Sequence, residues 1–250
     1  MYIKKFLFTV FLLLSVQSVS AQKFVYNGSI GKFSNATAFS FSPSGFIYVA
    51  DDDSDEIIML DTLGNVIKNV SDFGWGSSSY FTPSSVFCTN TFIVYVSDFY
   101  NDKIYKLDKD LNILASIEGA SLIGTDIKFA RPVGVVTSDF GDLFILDSDY
   151  KQILKFDYFG NFSLHFGGFD KGLNAVTNPK GMAVSEDQML VILDNNALLI
   201  YDTFGNSFGK YPLFENFISV NSYGKIMTLT AHDKIHINRS SSDKTGFREA

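Results

Sequence analysis

The sequence predicts an all-β fold, a β-propeller of four-stranded antiparallel blades. Three observations predict it. The chain of 250 residues is 46% hydrophobic, with 26 Phe and 12 Tyr, and shows little of the Ala-, Leu- and Glu-rich periodicity of helices. A unit of 47 to 49 residues repeats along it, and inside each unit short apolar runs are separated by tight polar turns. Four hairpin-linked strands in a unit of that size make a propeller blade.

Taken in chain order, the first element is MYIKKFLFTVFLLLSVQSVSAQ. Two lysines, Lys4 and Lys5, precede an apolar run from Phe6 to Leu14, and small residues occur at Val19 and Ala21. This has the three parts of a secretory signal peptide, residues 1–21, with cleavage expected after Ala21. The apolar run is shorter than the ~20 residues a membrane span needs, so no span is expected after cleavage. The mature chain, 22–250, is expected to form one domain and to be exported: periplasmic, on the cell surface or secreted. Losing the two lysines takes the formal charge from −7 to −9. Such a chain repels phosphate backbones, which excludes nucleic acid as a partner class.

KFVYNGSIGKF, residues 23–33, has the pattern of a fourth strand without its first three. Blades are expected at about 35–70, 83–119, 131–168, 178–213 and 215–239. Each opens with a short apolar strand, as in PSSVFCT from Pro83, PVGVVTS from Pro132 and PKGMAVS from Pro179. The second and third strands are YVADDDSDEIIMLD (48–61), VYVSDFYNDKIYKLD (94–108), LFILDSDYKQILKFD (143–157) and LVILDNNALLIYD (190–202), with IMTLTAHDKIHIN (226–238) as a weaker copy. Their first acids, Asp51, Asp98, Asp147 and Asp194, recur at intervals of 47, 49 and 47 residues. After the closing acids comes DTLGN (61–65), DKDLN (108–112), DYFGN (157–161) or DTFGN (202–206), where Gly-Asn accepts positive φ at low cost. The fifth unit ends at its third strand. The missing strand matches the orphan strand 23–33, so the N-terminal strand is expected to complete the last blade and close the ring.

The order P-x-G-[VM]-[AV]-V, turn, strand ending in Asp, polar turn, strand ending in Asp, x-x-G-N resembles the NHL repeat of β-propellers, best at 132–161 and 179–206. The resemblance covers nearly all of the mature chain. NHL-type rings usually have six blades, so beside the five counted a divergent sixth blade or an incomplete ring stays open as an alternative. Members of the family include scaffolds, ligand-binding modules and a few enzymes, so the resemblance implies a fold and leaves activity undecided.

The acidic stretch Asp51 to Glu56 raises the question of a metal loop. An EF-hand would need Gly at its sixth place and Glu at its twelfth, which here are Glu56 and Thr62. The stretch is therefore read as the turn between the second and third strands, its first Asp capping the turn. The histidines, His165, His232 and His236, lie outside the first four inner-strand segments, where the amidating lyases of the family carry zinc ligands. Cys88, the only thiol, sits in an apolar strand and reads as a small buried hydrophobe. There is no G-x-S-x-G, P-loop or G-x-G-x-x-G motif.

In a propeller the connections from fourth to first strand and from second to third lie on one face. Here they carry Trp75, Tyr80, Phe81, Phe99, Tyr100, Arg131, Tyr150 and Lys180, aromatics with a few cations. That is the composition of a recognition surface. The ligand-binding residues expected are Trp75, Tyr80, Phe99, Tyr100, Arg131, Tyr150 and Lys180. The reading is an exported, non-catalytic binding module without a cofactor, whose partner is a protein or small polymer on that face. The alternative is a lactonase- or lyase-like enzyme with a divalent metal on Asp, Asn or Glu side chains, including Asn195 or Asp149.

Overall fold

A computed structural model describes residues 30–71, 81–89, 92–119, 126–213, 215–223, 226–230, 235–239 and 248–249. Twenty strands form five antiparallel sheets of four, set in a ring. Blade one holds β1 (Ala36–Phe41), β2 (Ile47–Asp51), β3 (Glu56–Leu60) and β4 (Val66–Val70). Blade two holds β5 (Pro83–Cys88), β6 (Val94–Asp98), β7 (Lys103–Leu107) and β8 (Ile113–Glu118). β9 (Pro132–Thr137), β10 (Leu143–Asp147), β11 (Gln152–Phe156) and β12 (Phe162–Phe166) make blade three. β13 (Pro179–Val184), β14 (Leu190–Asp194), β15 (Ala197–Tyr201) and β16 (Ser207–Pro212) make blade four. β17 (Ser219–Tyr223), β18 (Ile226–Thr230), β19 (Ile235–Arg239) and β20 (Arg248–Glu249) make blade five. Among the described residues, no helix is long and apolar enough to cross a membrane.

The middle strands are near-continuous apolar runs because both faces of each blade press on a neighbour. One core cluster therefore lies between each consecutive pair of blades. Tyr48, Ile57 and Met59 of blade one meet Val86, Val96 and Leu107 of blade two. Ile104 of blade two meets Phe129, Val135 and Ile145 of blade three. The joint of blades three and four holds Phe144, Phe166 and Tyr201. Phe217, Val220 and Leu229 of blade five pack on Val191 and Leu198 of blade four.

The turns repeat as faithfully as the strands. Asp61, Asp108, Asp157 and Asp202 each accept the backbone N–H of the residue four on, together with the side-chain amide of Asn65, Asn112, Asn161 or Asn206. Gly64, Gly160 and Gly205 take φ of +85° to +87° there. In the variant DKDLN, Leu111 holds the same place at φ 60°. Burial of Leu111 in the first core cluster offsets the cost of a left-handed side chain.

The ring does not close as the sequence suggests. The fourth strand of blade five is β20, paired to β19 through His236↔Glu249 and Ile237↔Arg248. The place kept for residues 23–33 is thus taken by the C-terminal end. Residues 23–29 lie outside the described residues, and 30–35 form no strand. Instead Phe33 packs on Ile47, Val49, Ile58 and Leu60, the face of blade one turned away from blade two. Two hydrogen bonds from Ser34 and Asn35 to the Asp51 carboxylate, both 2.7 Å, fix that course. β1 meets β17 at the closing seam. The seam is thinly packed: Phe39 and Phe41 are 43% and 45% exposed, whereas Val86 and Cys88, in the same places of blade two, are 4% and 7% exposed.

Candidate functional site

Each of the first four inner strands carries a register irregularity just after its first residue, at Thr37, Ser84, Val133 and Lys180. Such a bulge re-aims the side chain. Three of the four then reach the next blade. Thr37 Oγ1 donates to the Pro83 carbonyl at 3.1 Å, Ser84 Oγ to the Pro132 carbonyl at 2.5 Å, and Lys180 Nζ to the Phe217 carbonyl at 3.1 Å. The inner strands so clamped surround an axial cavity of about 1060 Å³. All five contribute to its wall, and it extends to the turns between first and second strands, on the face opposite the longer connections.

That opposite arrangement sorts the residues expected to bind. Trp75 and Tyr80 lie outside the described residues. Lys180 lines the cavity, but its ammonium is already held by Asn216 Oδ1 at 2.7 Å and the Phe217 carbonyl. Phe99 and Tyr100 form an edge-to-face pair 5.0 Å apart, with Phe99 half-buried and Tyr100 exposed. Arg131 and Tyr150 are exposed on the same face and, like Phe99 and Tyr100, do not line the cavity. Phe81 is buried in the joint of blades one and two.

Three of these residues are brought together by the backbone of Arg131, held at φ 50°. Its N–H donates to Asp102 Oδ1 at 2.7 Å, in the turn that carries Tyr100. Its carbonyl accepts from Ser148 Oγ at 2.7 Å, in the turn that carries Tyr150. The guanidinium lies 3.5 Å from Asp149. Sequence reasoning missed two neighbours on this face, Phe169 and Leu173, in the short 3₁₀ segment Phe169–Asn174 that connects blades three and four. They are 84% and 93% exposed, far beyond what packing within a connection requires. The signal available was FDKGLN (169–174) itself, apolar residues in an otherwise polar connection.

The acids of the second-to-third-strand turns are structural pins. Asp194, fully buried, accepts the N–H groups of Thr177 and Asn178 at 2.8 and 2.6 Å, the Thr177 hydroxyl at 2.7 Å and Lys210 Nζ at 3.2 Å. Asp51 does the same for Ser34 and Asn35, and Asp98 for Thr82. Asp98 and Asp147 also accept backbone N–H bonds within their own turns, Asp98 from Asn101 and Asp147 from Asp149 and Tyr150, and Asp147 accepts the N–H of Ala130 upstream as well. The expected turn cap thus holds at Asp98 and Asp147, and all four acids add a staple onto the segment before the inner strand. Burial pushes Asp98 and Asp147 above the usual carboxylate range, against the hydrogen bonds that each accepts. Among the described residues, no three His, Cys, Asp or Glu side chains converge as a metal site would need. Asp149 is engaged with Arg131, and Asn195 occupies a left-handed turn position at φ 54°.

His165 is exposed, its Nδ1 2.9 Å from Gln152 Oε1. His232 and the side chain of His236 lie outside the described residues. Cys88 is buried, and burial pushes its thiol up to about 11.

No protein-family model and no curated protein sequence matches this chain. Solved structures do. A streptogramin B lyase is 15% identical with a TM-score of 0.64, over 87% of this chain and 69% of that one. A chain of a nidogen/laminin complex is 15% identical with a TM-score of 0.62, over 82% and 75%. A virginiamycin B lyase from Staphylococcus aureus is 12% identical with a TM-score of 0.60, over 84% and 68%. At these identities the likeness carries the fold alone: the chain is a β-propeller.

Proposed function

We propose that this propeller is an exported binding module of NHL-repeat type, without catalysis of its own. It holds a protein or small polymer on the face of the longer connections, at the cell envelope or outside the cell. One observation carries the reading: Arg131 ties the Tyr100 and Tyr150 turns into a single exposed patch. Exposed aromatics around an arginine are the residues that supply most binding energy at protein interfaces. The propeller neighbours support a binding role through the nidogen/laminin complex and an enzymatic one through the lyases. The staple role of the recurrent acids favours binding, since their lone pairs already serve backbone and side-chain donors.

The test is capture of a partner from an envelope extract by the immobilised protein. The variant Tyr100→Ser/Arg131→Ala/Tyr150→Ser should lose the partner, while Phe159→Ser on the opposite face should keep it. Equal capture by the triple variant would refute the reading. Titration with calcium, zinc or manganese addresses the enzyme alternative, because a metal at about a hundredfold over its Kd adds ~2.7 kcal/mol of stability.

A further inference from the structure

The joints between blades solve one problem in different ways, and one of them leaves it unsolved. Tyr48, Tyr95 and Phe144 hold the same place in the second strands of blades one, two and three, each paired with Met59, Lys106 or Lys155 of the third strand. In the next blade, each faces the turn that contains Lys109, Tyr158 or Thr203. Between blades one and two, the Tyr48 hydroxyl donates to the Lys109 carbonyl at 2.6 Å, and Met59 opposite it is apolar and buried. Between blades three and four, Lys155 Nζ donates to the Thr203 carbonyl at 3.1 Å and pairs with Asp142 at 2.8 Å. Phe144 and Phe204 flank that ammonium at 5.6 and 5.4 Å. Both joints are saturated.

Between blades two and three neither solution is present. Here Tyr95 and Lys106 occur together, and Ile93 stands where blade three has Asp142. Among the described residues, neither the Lys106 ammonium nor the Tyr95 hydroxyl has a hydrogen-bonding or ionic partner. Both groups line the axial cavity, and Tyr158, whose ring covers Gly141, lines it beside them. The Tyr95 phenol, ordinarily protonated at neutral pH and pushed further up by burial, is a donor. Apolar wall adjoins the donors, with Phe87 partly buried against the core of this joint and Phe140 at the mouth. A half-buried cation facing a cavity without its acid, next to phenolic donors, is arranged to receive an anionic oxygen group.

We infer that Lys106, Tyr95 and Tyr158 form an anion-binding site in the axial cavity, taking a small organic carboxylate whose apolar body lies against Phe87 and Phe140. The carboxylate replaces the missing Asp142 counterpart, and its body fills space that water otherwise occupies. Asp139 and Glu186 line the cavity from the turns of blades three and four, and they disfavour ligands with more than one negative charge. This site is separate from the exposed patch on the other face, so either can stand without the other.

The test is calorimetric titration of the protein with benzoate, neutral benzamide and inorganic phosphate. Two substitutions import residues that the same fold already uses at these places: Lys106→Met, after Met59, and Tyr95→Phe, after Phe144. Wild type should bind benzoate at least about tenfold more tightly than benzamide. Lys106→Met should remove that difference while keeping the thermal transition, and Tyr95→Phe should weaken benzoate about tenfold, the loss of one charge-assisted hydrogen bond. Benzoate affinity unchanged in Lys106→Met, or no benzoate binding, overturns the site. Lys106-dependent binding of phosphate without benzoate overturns the carboxylate as its ligand.

Discussion

Replacing Asp194 by Ala tests the staple reading at its most buried member. The substitution strands two backbone N–H groups, one hydroxyl and the ammonium of Lys210. A buried donor left without a partner costs roughly 1–3 kcal/mol. Thr177 and Asn178 are themselves exposed, so water can reach part of what is lost and the lower end applies to each donor. Three donors give about 3 kcal/mol, with little added by Lys210, which is partly solvated. For a chain of this size that corresponds to a fall in Tm of about 6–12 °C. Asp194→Asn keeps one acceptor oxygen and should fall between the two. Scanning calorimetry of the three proteins, each with and without chelator, gives the answer. An alanine variant melting within ~2 °C of the parent would refute the staple, and a fall that chelation reproduces in the parent would turn Asp194 into a metal ligand.

Carboxyl titration by NMR should separate two classes of aspartate. At Asp61 and Asp157 the side-chain amides of Asn65 and Asn161 favour the ionised form; at Asp108 and Asp202 some burial opposes, yet Asn112 and Asn206 still hold the carboxyls low. A folded pKa below the unfolded value contributes stability that is present above the unfolded value near 3.8 and lost as pH falls through the folded one. Asp98 and Asp147, raised by burial, act with the opposite sign and oppose folding once pH rises past their folded values. Midpoints for Asp98 and Asp147 below those of Asp61 and Asp157 would overturn the assignment. Lys155→Ala, which leaves Asp142 without its cation in a tight joint, should cost about 3 kcal/mol by urea denaturation, and a cost below ~1 kcal/mol would show the pair to be idle. Cys88 should resist a thiol reagent in the native protein and react stoichiometrically in urea; native labelling at the rate of a free thiol would contradict its burial.

The sequence by itself determined the blade. Apolar runs of five or six residues, Gly-Asn turns and acids at fixed places specify four strands locally, because each hairpin is set by neighbours within a few positions. The five-sheet count followed from the same periodicity. The tertiary structure decided what depends on partners far along the chain. The recurrent Asp could be read as a turn cap, but at Asp51 and Asp194 the donors lie 16 or 17 residues upstream, and only folding brings them to it. The closing strand is another case: in sequence only 23–33 had the pattern of an outer strand, yet the place is taken by β20, while Asp51 holds Ser34 and Asn35 on blade one. The site divides in the same way. Tyr100, Arg131 and Tyr150 were legible as exposed types on connections, whereas their union through the backbone of Arg131 was not. Nor could the sequence tell Lys106 from Lys155, two lysines at the same place in the repeat. Whether the ammonium meets an acid or a cavity depends on which residues the adjoining strands place beside it, and that is settled only where two blades pack.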